Sequence, residues 1–304
     1  MSGGRLGSLR DVLLIARFEL LRSLRSWQAL SLISAYVIAN AGAVWLFIRG
    51  LAELEAGVAK TLGIAVSKRP GGIMEHLRAR EEYRNLLEML ISDLDAVDRM
   101  IDVPVLAVFQ LSFGLVLVPF LASTNAAETI AGDLRSRAIR FELLRTGRAE
   151  LLLGRFGGQL LLCLAASAIA VVAVWVLGMT LMAKQDGVLL AWSLASLGLR
   201  AVVFSLPFVA MGVAASCATT SPAWGRVLAM FLTAGSWIAY GILSVAYAAP
   251  YTWIADLLLP VLPQSSMSAL WRPAPSWFAS SGMLVLITLG VLGLGFLRLA
   301  RRDV

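Results

Sequence analysis

The chain has 304 residues, 59% of them hydrophobic and 15% charged, with a mean hydropathy of +0.81 and a formal net charge of +7. A water-soluble globule of this size does not carry so apolar a composition, so lipid is the solvent for most of the chain. The basic surplus does not point to nucleic acid, because most of the arginines flank apolar runs, where anionic headgroups and membrane topology account for them.

Residues 1–26 are read as an amphipathic elbow helix on the cytoplasmic side. Val12, Leu13, Ile15, Ala16, Leu20, Leu21 and Leu24 alternate there with Arg10, Arg17, Glu19, Arg22 and Arg25, a mixture suited to the headgroup layer and equally to a basic flank that enforces topology. Apolar runs then occupy residues 27–48, 103–124, 157–182, 189–217, 225–247 and 277–298. Each is about 20 residues or longer, which at about 1.5 Å per residue crosses a hydrocarbon layer of about 30 Å. The predicted fold is therefore an all-α polytopic membrane protein whose six transmembrane helices make one domain over residues 27–304. The first run is longer than a signal-peptide core and lacks a small-residue cleavage site, so it is read as retained.

Orientation follows from the arginines. Arg5, Arg10, Arg17, Arg22 and Arg25 precede the first run, six arginines from Arg135 to Arg155 lie between the second and third, Arg226 lies between the fourth and fifth, and Arg298, Arg301 and Arg302 close the last. Six spans bring all of these to one face, which the positive-inside rule makes cytoplasmic. The expected location is a bacterial inner membrane, with both termini inside.

Two connections on the opposite face stand out. Residues 49–102 hold eight Lys or Arg and ten Asp or Glu, and read as a helical hairpin broken at Pro70-Gly71-Gly72. Tyr83, Leu87, Leu90, Leu94, Val97 and Ile101 recur at helical spacing in its second arm. That stripe is expected to pack on its partner helix or the membrane surface, or else to dock a periplasmic partner. Residues 248–276 carry half of the chain's ten prolines yet are strongly apolar. A segment too short to cross, interrupted by Pro260 and Pro263, suits re-entrant outer half-helices, with Leu257, Leu258 and Leu259 as an apolar outer gate; an interfacial loop fits equally.

The most informative polar stretch is residues 125–156. Ile130, Leu134, Ala138, Phe141 and Leu144 can share one face of a short helix, and Asp133, Arg135, Arg137, Arg140 and Glu142 occupy the rest. Such a charged helix wedged between two spans is a handle for a partner, with Asp133 and Glu142 read as surface members of ionic contacts.

Here the chain resembles the ABC type-2 transporter permeases. Their cytoplasmic connection has an acidic residue, a leucine pair, an arginine before the next span and then Gly-Lys, which Asp133, Leu143-Leu144, Arg148 and Gly154-Arg155 match in turn. The chain departs where many relatives have Gly-Thr, since Arg137-Ala138 stands there. Arg17-Phe-Glu-Leu-Leu-Arg22, the proline-rich connection and the basic tail Leu299–Asp303 are similar to the rest of that family's layout. The resemblance implies a membrane-spanning subunit that pairs with a second permease copy, identical or related, and is driven by separate ABC ATPase subunits carrying ATP and Mg. Residues 130–145 would be the coupling helix, with Asp133, Arg137, Arg140, Glu142, Arg145 and Arg148 its contact residues.

No phosphate loop of the form G-x-x-x-x-G-K-[ST] occurs, and no protease, hydrolase or paired intramembrane carboxylate motif. The chain is accordingly read as neither an enzyme nor the holder of a cofactor. Cys163 and Cys217 lie in or beside spans and imply no disulfide, and the single histidine, His76, has no metal-ligating neighbour. Arg200 sits inside the fourth apolar run and needs water or a partner; it reads equally as a polar patch lining a pathway or dimer interface and as an interfacial snorkel. Gly154 and Gly158, and Gly290, Gly293 and Gly295, are candidate helix-contact positions, and Pro207 is a candidate kink.

These features lead to an exporter permease, with a non-transporting scaffold or mechanotransmission subunit that docks an extracytoplasmic partner through residues 49–102 as the alternative. The topology is directly testable. Cysteines introduced at Glu81 or Asp186 are expected to react with an impermeant reagent from outside, and one at Ser136 only after permeabilisation. External labelling at Ser136 inverts the orientation.

Overall fold

Hydrocarbon offers backbone amides no partner, so an apolar run can cross it only by bonding within itself, as a helix. The computed structural model describes residues 9–63, 69–72, 81–91, 94–183, 185–246, 252–272 and 276–302, and every regular element among them is helical. His76 lies outside the described residues. Helix α1 (Leu9–Arg25) precedes the first span, α2 (Trp27–Leu62). Next come α3 (Glu81–Leu90), α4 (Leu94–Met100) and the second span, α5 (Val105–Ala126). Two short helices, α6 (Ala131–Ser136) and α7 (Ile139–Leu143), lead into α8 (Arg148–Leu181) and α9 (Gly187–Ala218). The fifth span, α10 (Pro222–Ala246), is followed by α11 (Thr252–Leu258), 3-10 turns at Leu259–Val261 and Pro263–Ser266, α12 (Met267–Leu270) and the last span, α13 (Ser276–Ala300).

Six helices among the described residues are thus long and apolar enough to cross a bilayer, and the protein is an all-α, multi-pass membrane protein. Several exceed their apolar runs. The 36 residues of α2 and 34 of α8 would extend about 50 Å at 1.5 Å per residue, against about 30 Å of hydrocarbon. Hydropathy marks where a helix meets lipid, whereas hydrogen bonding sets where it stops, so charged turns such as Arg148–Arg155 continue the helix beyond the apolar layer.

The centre belongs to α9 and α5. In their most apolar windows 72% and 61% of residues are buried, against 17% in α10 and 22% in α2 and α8, whose outer faces are left for lipid or another chain. Phe204, Phe208, Leu111 and Leu115 fill the middle of the main core. Pro207 lies within an unbroken α9.

The hairpin over residues 49–102 differs from its expected form. Its first arm is the continuation of α2, closed by Gly63 in the left-handed region. Its second is two helices, α3 and α4, rather than one. Tyr83, Leu87 and Val97 are buried in the same core as Val44, Ile48 and Leu51 of α2 and Leu106 and Leu111 of α5, with Leu90 and Ile101 partly buried alongside, and the Leu90 carbonyl accepts from Ser112 Oγ of α5 (2.6 Å), so this stripe faces the core of the bundle. The Pro70-Gly71-Gly72 turn is pinned from two sides: Gly71 N–H donates to Glu55 Oε1 (2.8 Å), and the Pro70 carbonyl accepts from Ala183 N–H (2.7 Å). Gly71 has φ +97°, and a Cβ there would stand 2.8 Å from the Ala183 carbonyl oxygen, so both conformation and space call for glycine.

Helix α1 turns its amphipathicity inside out. Its buried residues are Ala16, Glu19 and Ser23, while Leu13, Leu14, Phe18, Leu21 and Leu24 are exposed. The polar, small-residue stripe lies on α8, and the leucines are left for lipid. Gly154 and Gly158 make this approach possible, since a Cβ at Gly154 would sit 2.5 Å from Ile15 Cβ and one at Gly158 2.6 Å from Glu19 Cβ and 2.9 Å from the Ala16 carbonyl. The G-x-x-x-G pair therefore serves α1 within the chain. Gly158→Ala is expected to push α1 off α8 and destabilise the protein by about 1–3 kcal/mol, as overpacking does. Thermal melting and proteolytic release of residues before Trp27 check this beside Gly290→Ala, where nothing lies within 4 Å of the added carbon. Equal melting of both variants would mean that α1 is loosely held.

Candidate functional site

At the arginine-rich end, four helices converge on one guanidinium. Arg155, one to two turns into α8 and only 2% exposed at its side chain, pairs through Nη1 with Glu19 of α1 and through Nη2 with Asp133 of α6 (2.6 Å) and Glu142 of α7 (2.8 Å). Arg22, one turn beyond Glu19, grips both oxygens of Asp133 at 2.9 and 3.0 Å. Gln159, one turn beyond Arg155, donates to Glu19 Oε1 (3.2 Å) and Ser23 Oγ (3.3 Å) and accepts from Asn125 Nδ2 of α5 (2.7 Å). Those hydrogen bonds to Asp133 push the Arg22 guanidinium above its usual value against the effect of partial burial, helped by the Asp133, Glu19 and Glu142 charges. Three carboxylates face two guanidiniums, so the cluster carries one negative charge beyond balance.

Local sequence explains the convergence. Ala16, Glu19 and Ser23 share a face of α1 at three- and four-residue spacing, and Arg155 and Gln159 share a face of α8. The α6–α7 connection must fold back for Asp133 and Glu142 to reach the same guanidinium, and Arg137 makes that reversal in the left-handed region, at φ +58°. The expected single helix over residues 130–145 is broken there. Consequently its apolar residues do not share one fate: Ile130 is buried and Leu134 partly buried, whereas Phe141 (74%) and Leu144 (83%) are exposed.

Further ties fix the segment to the bundle. Ser216 Oγ of α9 accepts from the backbone N–H groups of Ile130 (2.8 Å) and Ala131 (2.7 Å), satisfying donors at the start of α6. Arg148 donates to the carbonyls of Leu299 (3.3 Å), Ala300 and Arg302 (3.4 Å) at the end of α13. In turn Arg302 donates to the carbonyls of Ala218 (2.7 Å) and Thr219 (3.4 Å) at the end of α9. Cations at helix C-termini meet the orphan carbonyls and the negative pole of the helix dipole. Arg226 at the start of α10 pairs with Glu128.

The candidate contact residues therefore divide. Asp133 is buried, Glu142 half-buried and Arg148 half-buried, and all three point into the bundle, which corrects the reading of the two carboxylates as surface groups. The sequence pattern could not show this because their partners, Glu19, Arg22 and Arg155, lie far away along the chain. Arg137, Arg140 and Arg145 stay exposed, as do Arg135, Phe141 and Leu144.

At the opposite end, Arg200 of α9 donates to the carbonyls of Leu270 (2.6 Å) and Arg272 (3.2 Å) and lies 5.4 Å from the Trp277 ring centroid. It clamps the end of α12 to the start of α13. The proline-rich connection does form short broken helices. Pro263, Gln264 and Ser266 are buried, and Gln264 Nε2 donates to Ser236 Oγ of α10 at 2.8 Å. Leu257, Leu258 and Pro260 are exposed and Leu259 partly so, hence the leucines point away from the bundle of their own chain.

Sequence reasoning passed over Glu19, Arg22 and Gln159 and valued Arg155 only as a motif match. A usable signal existed: a small and polar stripe, Ala16-Glu19-Ser23, on a leucine-rich helix, and a glycine pair beside a charge on another. No family model matches the chain, and no curated protein sequence matches it.

Arg155→Met removes the one group among the described residues that touches all three carboxylates. Leaving buried carboxylates uncompensated typically costs about 3–5 kcal/mol, so the variant is expected to melt well below the parent. Adding Glu19→Gln and Asp133→Asn is expected to recover part of that loss. Unchanged melting of Arg155→Met would show that the cluster does not hold the four helices together.

Proposed function

We propose that the protein is the membrane-spanning permease subunit of an ABC exporter, coupled at residues 130–145 to separate ATPase subunits. The observation that carries this reading is the exposed pair Phe141 and Leu144, on a segment that also exposes Arg135, Arg137, Arg140 and Arg145 and is clamped to α1, α8 and α9. Exposed apolar side chains on a basic segment suit a hydrophobic groove with an acidic edge on a partner protein. The clamp supplies the second requirement, since a push on α6 and α7 reaches the spans through packed charges rather than through a slack loop. The left-handed residue, Arg137, stands where the resembled family has glycine, the residue for which that conformation carries no steric cost.

In this reading the arginine-rich end is cytoplasmic, and ATP binding closes the ATPase pair. The coupling segments follow, and the equilibrium between two arrangements of the spans shifts because the partner binds one of them more tightly. Leu257 and Leu258 face outward from their own chain, so a gate built from them needs a second permease copy to close against.

The test is affinity purification of the chain from its source membrane after mild crosslinking, with ATP hydrolysis assayed in the eluate. Activity is expected to accompany the parent and to fall about tenfold or more with Phe141→Asp and Leu144→Asp together, as loss of a central interface anchor does. The double variant is expected to stay folded, because both side chains are solvent-exposed. An eluate without ATP hydrolysis, or one indifferent to the double variant, would favour the non-transporting scaffold.

A further inference from the structure

Beside the ionic cluster lies a chamber of about 210 Å³, walled by Glu19, Arg22, Asn125, Glu128, Thr129 and Gln159, at the arginine-rich ends of α2 and α5 and the start of α10. Water occupies about 30 Å³ per molecule in the liquid, so the space suits a head group of several heavy atoms. Glu19 and Gln159 are 3% and 2% exposed, so the polar wall is built into the fold. Ala29 and Asn125 also border a second, apolar cavity of about 50 Å³, lined by Tyr36, Leu121, Leu162 and Ala166 between α2, α5 and α8. From Ala29 to Tyr36 that cleft runs two helical turns, about 10 Å, into the apolar layer. The two spaces share walls, one polar at headgroup depth and one apolar at acyl-chain depth.

Charge selects the head group. Glu19, Glu128, Asp133 and Glu142 stand against Arg22, Arg155 and Arg226, four negative charges to three positive, and each of these guanidiniums is already engaged by a carboxylate. A phosphate or carboxylate entering the chamber would find an unfavourable field and no free guanidinium. An ammonium group would restore balance and meet acceptors on Glu19 and Glu128.

We propose that this groove is a binding site for a single amphiphile with an ammonium head, the head in the chamber and the tail in the cleft between α2, α5 and α8. It requires neither ATP nor a partner subunit, so its test does not depend on the transporter reading.

Full-length protein in detergent is titrated with dodecylamine, lysophosphatidylethanolamine, dodecanol and lysophosphatidylglycerol, and the bound species are resolved by native mass spectrometry. Binding of an ammonium amphiphile, one per chain and about tenfold tighter than the neutral or anionic ones, is expected. Binding of dodecylamine at least as tight as that of the phospholipid is expected, since the free ammonium suffices; binding of lysophosphatidylethanolamine alone would show that the phosphate is read and would overturn the assignment. Ala166→Phe fills the cleft and is expected to weaken this binding about tenfold, whereas Ile242→Phe, on the exposed face of α10, is expected to leave it unchanged. Cys163→Leu, on the same cleft wall, serves the same purpose if Ala166→Phe does not fold. Equal binding of all four compounds, no binding of either ammonium compound, or full affinity in the cleft-filling variant would overturn the proposal.

Discussion

A guanidinium removed from water must be surrounded by acceptors, and in this protein that demand organises one whole end of the molecule. Arg155 cannot be satisfied by α8 alone, because a helix has already used its own carbonyls. Its partners arrive from α1, α6 and α7, so these three elements share one charge in addition to their apolar contacts. Arg22 then locks Asp133 from its far side, and Gln159 extends the contact to α5 through Asn125. Truncating Arg155 leaves Glu19 and Asp133 buried without the charge they share, which makes the cluster cooperative rather than a sum of pairs. It also makes the arginine-rich end stiff, while the lipid-facing helices α2, α8 and α10 meet their neighbours along narrow stripes.

The same logic recurs at helix ends. Arg148, Arg302 and Arg200 each donate to carbonyls at the C-terminus of another helix. From the sequence Arg148 and Arg302 look like topological markers, and that role is compatible with capping: a cation held at the membrane boundary is well placed to meet the negative end of a span that finishes there. Charge that the sequence places beside a span is used in the fold as packing.

What could be read from the sequence was whatever depends on one segment alone. Each of the six spans is a local statement about apolar length, and so is the break at Pro70-Gly71-Gly72, and both are present in the structure. The inward stripe of Tyr83, Leu87 and Val97 was legible as a helical face, though the division into α3 and α4 was not. Long-range charge pairing was illegible: nothing near Asp133 announces Glu19 or Arg22, and a charged residue between spans looks solvent-facing until its partner is located. Leu257 and Leu258 show the opposite limit, since the pattern of apolar residues in a segment too short to cross is the same whether they face inward or outward. The Gly154-Gly158 pair was visible as a contact motif, but its partner was not, because small residues declare that something approaches without saying what.

The inverted amphipathicity of α1 bears on the order in which the protein is made. Glu19 and its partner Arg155 are separated by 136 positions. When α1 leaves the ribosome, α8 does not yet exist, and the polar stripe of Ala16, Glu19 and Ser23 has nothing to rest on but water. Its leucines can enter the membrane surface at once, because that needs only lipid. The helix therefore has two successive resting places: first as a float on the bilayer with its acidic stripe wet, and later rolled against α8 once the third span has been inserted. Domains commonly settle from the N-terminus forward during synthesis; here α1 emerges before α8 and can take its seat only after it.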